Sequence, residues 1–467
     1  MITDLALATA GELVELYRNG KASPVEAVRA ALRRIETYNS DINAFCLVDS
    51  EGALNAAAAS EMRWRQGTPL GIVDGIPTTV KDLVLARGWP TRRGSAMVPE
   101  GQPDQSDSPA VARLREHGAI FLGKTTTPEF GWKGVTDSPL TGITRNPWNL
   151  ECTPGGSSGG AAAAAVLGMG TLHIGTDGGG SIRIPSSFSG TVGLKPTFGR
   201  VPHWPYSAFG TLAHLGPMTR SVADAALMLT VLSEHDVRDS YAVPTNQHDY
   251  REGLEDGISG LRLAFSADLG GHHVEPDVAR LVDAASHEFE ALGAKVELAE
   301  PDTRNAHDIF TTLWLAGAYR ILAPFDADAR TLADPGLVAA AEAGEAISLA
   351  KYMKAQHERR LLALKFNLFF EDFDLLILPT MPLSAFATGH NVPRGPDGSD
   401  WLDWSPFTYP FNLTGLPAAS LPCGLTENGL PVGLQIVGRR YQDAKVLQAG
   451  RAFENLHPIL FPRSMHT

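Results

Sequence analysis

The sequence predicts an α/β protein with a largely parallel sheet, on three observations. Residues 110–117 carry helical spacing and lead directly into the apolar run 119–122, a buried-strand signal. Residues 261–265, 278–292 and 295–298 repeat the succession strand, helix, strand. The short apolar runs 375–378 and 434–437 add further buried strands. Helices interleaved with strands are what parallel neighbours require, because a parallel pair needs a long crossover.

Taken in order, the elements begin with a helix entered at Ser23-Pro24-Val25-Glu26. Ser23 can cap it, Pro24 suits its first turn, and Glu26 completes a capping box. Ala27, Val28, Ala31, Leu32 and Ile35 then recur on one face. Residues 71–84 are apolar and β-branched between glycine and proline, which reads as strand and loop. Residues 305–370 are mostly helical and rich in Leu, Phe and Ala, a cover over the sheet. Its aromatics Trp314, Tyr319, Phe366, Phe369 and Phe370 recur at helical spacing and are read as core. No linker or repeat interrupts the chain, so residues 1–467 are expected to form one domain with this cover.

Composition narrows the function. A 43% hydrophobic content supplies a large core, and 19% charged residues with no long polar tract argue against disorder. The balance of 39 Lys+Arg against 52 Asp+Glu, a net charge of −13, makes a poor binder of phosphate backbones, so no nucleic-acid partner is expected. Cys46, Cys152 and Cys423 match no metal spacing and read as buried small residues in a reducing compartment. No apolar run of about 18 residues exists to span a membrane. Residues 1–20 lack a basic start followed by an apolar stretch. A cytoplasmic protein is the expectation.

The densest signal lies in residues 155–193, which hold twelve glycines where the whole-chain frequency of 47 in 467 would place about four. Such a concentration marks unusual dihedrals or close approach of the backbone to another group. Two serine sites stand out, Gly155-Gly156-Ser157-Ser158-Gly159-Gly160 and Gly178-Gly179-Gly180-Ser181. Glycines ahead of a serine let successive N–H groups converge where negative charge develops on an oxygen, and one such donor is worth about 2.7–4 kcal/mol of barrier. Neither site ends in the Gly-Lys-Ser/Thr of a phosphate-binding loop.

A serine nucleophile needs a base. His173, His203 and His214 are the nearest histidines, and none sits in a triad context. Lysine is the alternative. Lys81, at the end of the strand-like stretch, could serve if burial keeps it neutral and no carboxylate pairs with it. In an extended segment Asp82 points to the opposite side.

At these residues the chain resembles the amidase signature family. The resemblance rests on the block 155–160, on Gly175-Thr176-Asp177-Gly178-Gly179-Gly180-Ser181-Ile182-Arg183, on Gly193-Leu194-Lys195-Pro196-Thr197, on the lysine segment 75–82, and on the 24-residue separation of Ser157 and Ser181. It covers nearly the whole chain. It implies a large mixed β-sheet flanked by helices on both faces, and a serine amidase with the catalytic set Lys81, Ser157 and Ser181. Ser157 would follow a cis peptide bond and relay protons between Ser181 and neutral Lys81. The N–H groups of Gly178, Gly179, Gly180 and Ser181 would form the oxyanion hole. Ser158, Thr176, Asp177 and Arg183 would support the site, the last two as an ion pair. The family commonly has threonine where this chain has Gly178. The resemblance implies a small-molecule amide as substrate with no cofactor and no metal, and it is compatible with a homodimer.

Two rivals stand beside this reading. The glutamine-hydrolysing A component of a tRNA-dependent amidotransferase belongs to the same superfamily but usually carries glutamine where this chain has Ile184. An α/β-hydrolase esterase would use Ser158, the centre of a Gly-x-Ser-x-Gly pattern at 156–160, but needs a strand just before it. Phe130 and Trp132, just beyond a motif, are the candidate pocket residues, and a mostly apolar pocket for aryl or alkyl amides is expected.

Overall fold

The computed structural model describes residues 4–244, 248–393 and 402–462. Its strands are β1 (Phe45–Val48), β2 (Pro77–Lys81), β3 (Ile120–Thr125), β4 (Asp137–Ser138), β5 (Gly142–Ile143), β6 (Leu172–Asp177), β7 (Val192–Lys195), β8 (His214–Thr219), β9 (Arg262–Phe265), β10 (Lys295–Leu298), β11 (Leu375–Pro379), β12 (Ala418–Leu425) and β13 (Pro431–Gly438). Eleven of them form one sheet in the order β1-β3-β2-β6-β8-β7-β12-β13-β11-β9-β10, while β4 and β5 pair as a small hairpin.

The sheet is mixed, as the family resemblance implies, and not largely parallel. Parallel pairing holds for β2 with β3 and β6, and for β9 with β10 and β11. These are the strand–helix–strand units visible in the sequence. The middle of the sheet, β6-β8-β7-β12-β13-β11, is antiparallel throughout. There β12 and β13 form a hairpin closed at Thr426–Leu430, where the Thr426 and Leu430 backbones bond at 2.8 Å. Alternating strand and helix signals cannot reveal whether an intervening helix returns the chain to a neighbouring strand or to one further along.

Helices cover both faces. Along β11, Leu375 and Ile377 pack into one apolar cluster and Leu376 and Leu378 into the other, the period-two alternation of a strand buried on both sides. The first cluster includes the helices Val222–Leu232, Pro276–Ala291 and Asp443–Glu454. The second includes the cover, helices Ala306–Leu322, Pro335–Glu345 and Leu349–Asp372. The helix Pro24–Ile42 carries the expected capping box, with Glu26 N–H donating to Ser23 Oγ and Ser23 N–H donating to Glu26 Oε2 at 2.8 Å.

The cysteines depart from expectation. Cys46 is exposed and Cys152 and Cys423 are half-buried. The reason at Cys46 is position, since β1 is an edge strand whose alternate residues face outward. Among the described residues no helix is long and apolar enough to cross a membrane.

Candidate active site

The site lies where the neighbouring parallel strands β2 and β6 end. Lys81 closes β2, and its side chain is fully buried. Its Nζ lies 2.7 Å from Ser157 Oγ, 2.8 Å from Ser158 Oγ and 2.9 Å from Thr176 Oγ1. Thr176 belongs to β6, so the β2–β6 pairing brings an amine and a hydroxyl 95 residues apart to the same point. The two serines come from the glycine loop ahead of the helix Gly159–Val166, and Ser157 follows a cis peptide bond from Gly156. Thr136 pins that loop, donating to Gly155 O and accepting from Gly159 N–H. Any side chain at Gly156 would run into the Val135 carbonyl at 2.6 Å.

Ser181 sits on the turn after β6 and is 5% exposed. Its carbonyl accepts from Ser158 N–H at 3.1 Å, which ties the two serine loops together. The turn is shaped by Asp177. Its carboxylate accepts from Gly180 N–H at 2.7 Å, from Ile182 N–H at 3.2 Å, from Asn412 Nδ2 at 2.8 Å and from both Nε and a terminal nitrogen of Arg183 at 2.9 and 3.0 Å. Arg183 also donates to Thr408 O, Gln435 Oε1 and Asn412 Oδ1. The pair is fully buried and braces the loop, the arrangement anticipated for Asp177 and Arg183.

This bracing corrects one expectation. The Gly180 N–H is bound to the Asp177 carboxylate and is not offered to a substrate oxygen. Gly180 takes φ 134°, and a Cβ there would strike Thr408 Oγ1 at 2.5 Å, so glycine is needed at this position for conformation and space. The amides of Gly178, Gly179 and Ser181 donate to no backbone or side-chain acceptor among the described residues.

Electrostatics set the protonation states. Burial pushes Lys81 well below the ordinary lysine value, against a smaller opposing pull from Asp177. Among the described residues no carboxylate forms an ion pair with it. Asp82 turns away as the strand geometry predicts, accepting from Arg92 N–H and Gly94 N–H and lying 3.7 Å from Lys124. Burial would raise the Asp177 carboxyl, but Arg183 holds it well below the carboxylate range. The histidines are held neutral by burial, His173 at about 3, His203 at about 4, and His214 well below its ordinary value. His173 bonds Thr79 and His214 bonds the Leu212 carbonyl, and none of the three is hydrogen-bonded to Ser157 or Ser181. Ser158 has no strand before it, so the esterase elbow is not formed.

A cavity of about 110 Å³ opens onto the serines, lined by Ser157, Thr176, Gly178 and Ser181 together with Leu83, Phe130, Phe209 and Trp314. Phe130 is therefore placed at this cavity's wall. Trp132 is not: it is buried in the core away from the cavity, and its carbonyl accepts from Trp314 Nε1 at 3.1 Å. Trp314, read from its spacing as core, is buried and is also a pocket wall, stacked on Phe209 with ring centroids 3.7 Å apart. A Cβ on Gly178 would meet its ring at 3.1 Å, so the departure from threonine at 178 fits the presence of the indole. Arg93 also lines the cavity and was missed, and His203, weighed from the sequence only as a base, lines it too. The Arg92-Arg93 doublet was the available signal for the first.

The chain matches the family model described as Amidase over residues 26–447. It is 36% identical to an acylamidase of Rhodococcus erythropolis, over 96% of this chain and 95% of that one. It is 38% identical to the A component of the glutamyl-tRNA(Gln) amidotransferase of Myxococcus xanthus, over 99% of both chains. Among solved structures it resembles a bacterial aryl acylamidase of the amidase signature enzymes, with 32% identity, a TM-score of 0.89, and coverage of 97% of this chain and 96% of that one.

Proposed function

From the premise that the chain belongs to the amidase family and is a hydrolase of amide carbon–nitrogen bonds, we propose that it acts on small-molecule amides through an acyl-enzyme on Ser181, with Ser157 relaying protons to Lys81. The observation that carries this reading is the buried Lys81 amine, 2.7 Å from Ser157 Oγ and with no acidic partner among the described residues. A neutral amine has two N–H donors and one lone pair, yet three hydroxyls surround it. The Ser158 hydroxyl donates to Thr176 O at 3.1 Å, so it accepts from Lys81. Thr176 takes the second N–H, and the lone pair faces the Ser157 proton.

The sequence of events follows. Lys81 draws the proton of Ser157, Ser157 draws that of Ser181, and the Ser181 oxygen attacks the carbonyl. The negative oxygen is met by the N–H groups of Gly178, Gly179 and Ser181. Ser157 protonates the departing amine, and water reverses the relay to release the acid. The whole chain works as one domain of a cytoplasmic protein, alone or as a homodimer, with no nucleic acid bound. Labelling with a neutral fluorophosphonate followed by peptide mapping tests the reading. Ser181 is the expected site, and the label is lost in Ser181→Ala and strongly slowed in Lys81→Met. Modification of any other serine in the wild-type protein overturns the assignment.

A second reading is favoured by the 38% identity to an amidotransferase component. In it the chain would release ammonia from glutamine for a partner. Hydrolysis of simple amides by the purified chain, with glutamine no better a substrate, decides against it.

A further inference from the structure

Resting on the amidase reading, we infer that the amide substrate carries a carboxylate on its acyl chain and that Arg93 is the residue that selects it. Arg93 is the one charged side chain lining the described cavity beside Ser157 and Ser181, since His203 there is held neutral. Its guanidinium makes no ion pair and no hydrogen bond among the described residues. The nearby carboxylates Asp82 and Asp104 are both turned to Lys124, at 3.7 and 3.8 Å.

The backbone around Arg93 is built to hold it. Asp82 accepts from the N–H groups on either side of it, Arg92 and Gly94, and the Arg93 carbonyl accepts from Phe130 N–H at 2.8 Å. Arg93 itself adopts φ 58°, a left-handed conformation that long side chains rarely take. A half-buried guanidinium is thus presented to the catalytic cavity with its five donors unspent.

The surroundings point the same way. The cavity shares the wall residues Ala208 and Phe209 with a larger one of about 830 Å³. That neighbour is lined by Arg320, Arg359, Arg360 and Arg440. No described Asp or Glu lines either cavity, in a chain where acids outnumber bases 52 to 39. Arg359 is spent on the carbonyls of Thr211, Asn412 and Leu413 and on Thr211 Oγ1, so it adds charge without an anion. Positive charge gathered around the site of an acidic protein draws anionic ligands inward. The small cavity with Leu83, Phe130 and Trp314 on its walls suits a short methylene chain, and Arg93 suits a carboxylate at its end. Glutamine fits less well, because its ammonium would enter a cavity without a counter-charge.

Three five-carbon amides separate these features: glutaramate carries the carboxylate alone, glutamine adds an ammonium, and pentanamide has neither. The expected wild-type order in kcat/KM is glutaramate above pentanamide by roughly ten- to hundredfold, the range of a charge-assisted hydrogen-bonded contact, with glutamine below glutaramate. In Arg93→Asn, chosen because asparagine tolerates positive φ, the ratio of glutaramate to pentanamide falls toward one. Arg93→Lys retains part of it. A wild-type ratio near one, or a ratio unchanged in Arg93→Asn, overturns the inference while Ser181 labelling by the neutral fluorophosphonate still upholds the amidase reading. Absence of Ser181 labelling in the wild type sinks both. If Arg93→Asn itself does not label, protection of the wild-type protein decides: glutaramate must block labelling at a concentration at least tenfold below pentanamide, and equal protection refutes the role.

Discussion

The Asp177 carboxylate is the most informative place to perturb the site. Asp177→Asn keeps the shape of the side chain and removes its charge. Five donors converge on this carboxylate: Gly180 N–H, Ile182 N–H, Asn412 Nδ2 and two nitrogens of Arg183. Asparagine offers one oxygen and turns an NH₂ toward groups that are themselves donors. Arg183, fully buried, is then left without an anion, and breaking a buried pair on one side costs about 3–5 kcal/mol. Against a typical total stability of about 5–15 kcal/mol that is a large fraction. Activity should fall as well, because the turn that aims the Gly178, Gly179 and Ser181 amides is shaped by this residue, and one misplaced oxyanion donor lowers kcat by about 10²–10³. The assay is a comparison of urea midpoints and of kcat for wild type, Asp177→Asn, and Asp177→Asn with Arg183→Met. Removing both charges of a buried pair is close to neutral, so the double variant should regain most of the lost midpoint but not the lost kcat. A double variant no more stable than the single one would refute the uncompensated charge. Wild-type kcat in Asp177→Asn would refute the carboxylate as the shaper of the loop.

Other predictions follow from the same geometry. Burial lowers Lys81 well below its ordinary value of 10.5, so between the lowered value and 10.5 the native state binds fewer protons than the unfolded one and wild-type stability rises with pH through that window. Lys81→Met should therefore lose activity at every pH, and its urea midpoint relative to wild type should be highest near neutrality and decline as pH approaches 10; a pH-independent difference would mean Lys81 is charged in place. His173→Gln and His214→Gln should keep Ser181 labelling within about threefold of wild type, whereas loss of labelling in both, with the fold intact by circular dichroism, would restore a histidine base. Gly178→Thr should lower kcat by about tenfold or more, because its Cβ would approach the Trp314 ring at 3.1 Å; Gly178→Thr combined with Trp314→Phe should recover part of the loss if crowding is the cause.

Much of the site was legible because its chemistry is local in sequence. Ser157, Ser158, Thr176, Asp177, Ser181 and Arg183 fall within 27 residues, and glycines flag the places where side chains would collide. From the residues alone Lys81 was suggested only by an apolar strand before it, and the family resemblance carried the rest; its three hydroxyl partners depend on the β2–β6 register, which no local pattern encodes. The sheet was read as largely parallel from spacing because β12, Ala418–Leu425, contains Pro422 and Gly424 and does not look like a strand; its register shift lies at those residues. The fate of the Gly180 amide was invisible because three successive glycines look equivalent until a carboxylate selects one. Trp314 was taken for core because helical spacing records which face is covered, not whether a cavity lies under it. Arg93 escaped notice because nothing adjacent in sequence says that its neighbours Asp82 and Asp104 are already engaged with Lys124.

The clamp on the nucleophile turn reaches far along the chain. Arg183 touches Thr408, Asn412 and Gln435, and Gln435 lies in β13, the last of the described strands in chain order. During synthesis, residues 81, 157 and 181 all emerge long before residue 435. A nascent chain would thus possess every reacting group yet lack the anchor that holds the attacking oxygen in register. On the proposed mechanism, a chain ending before β13 is therefore expected to lose labelling at Ser181.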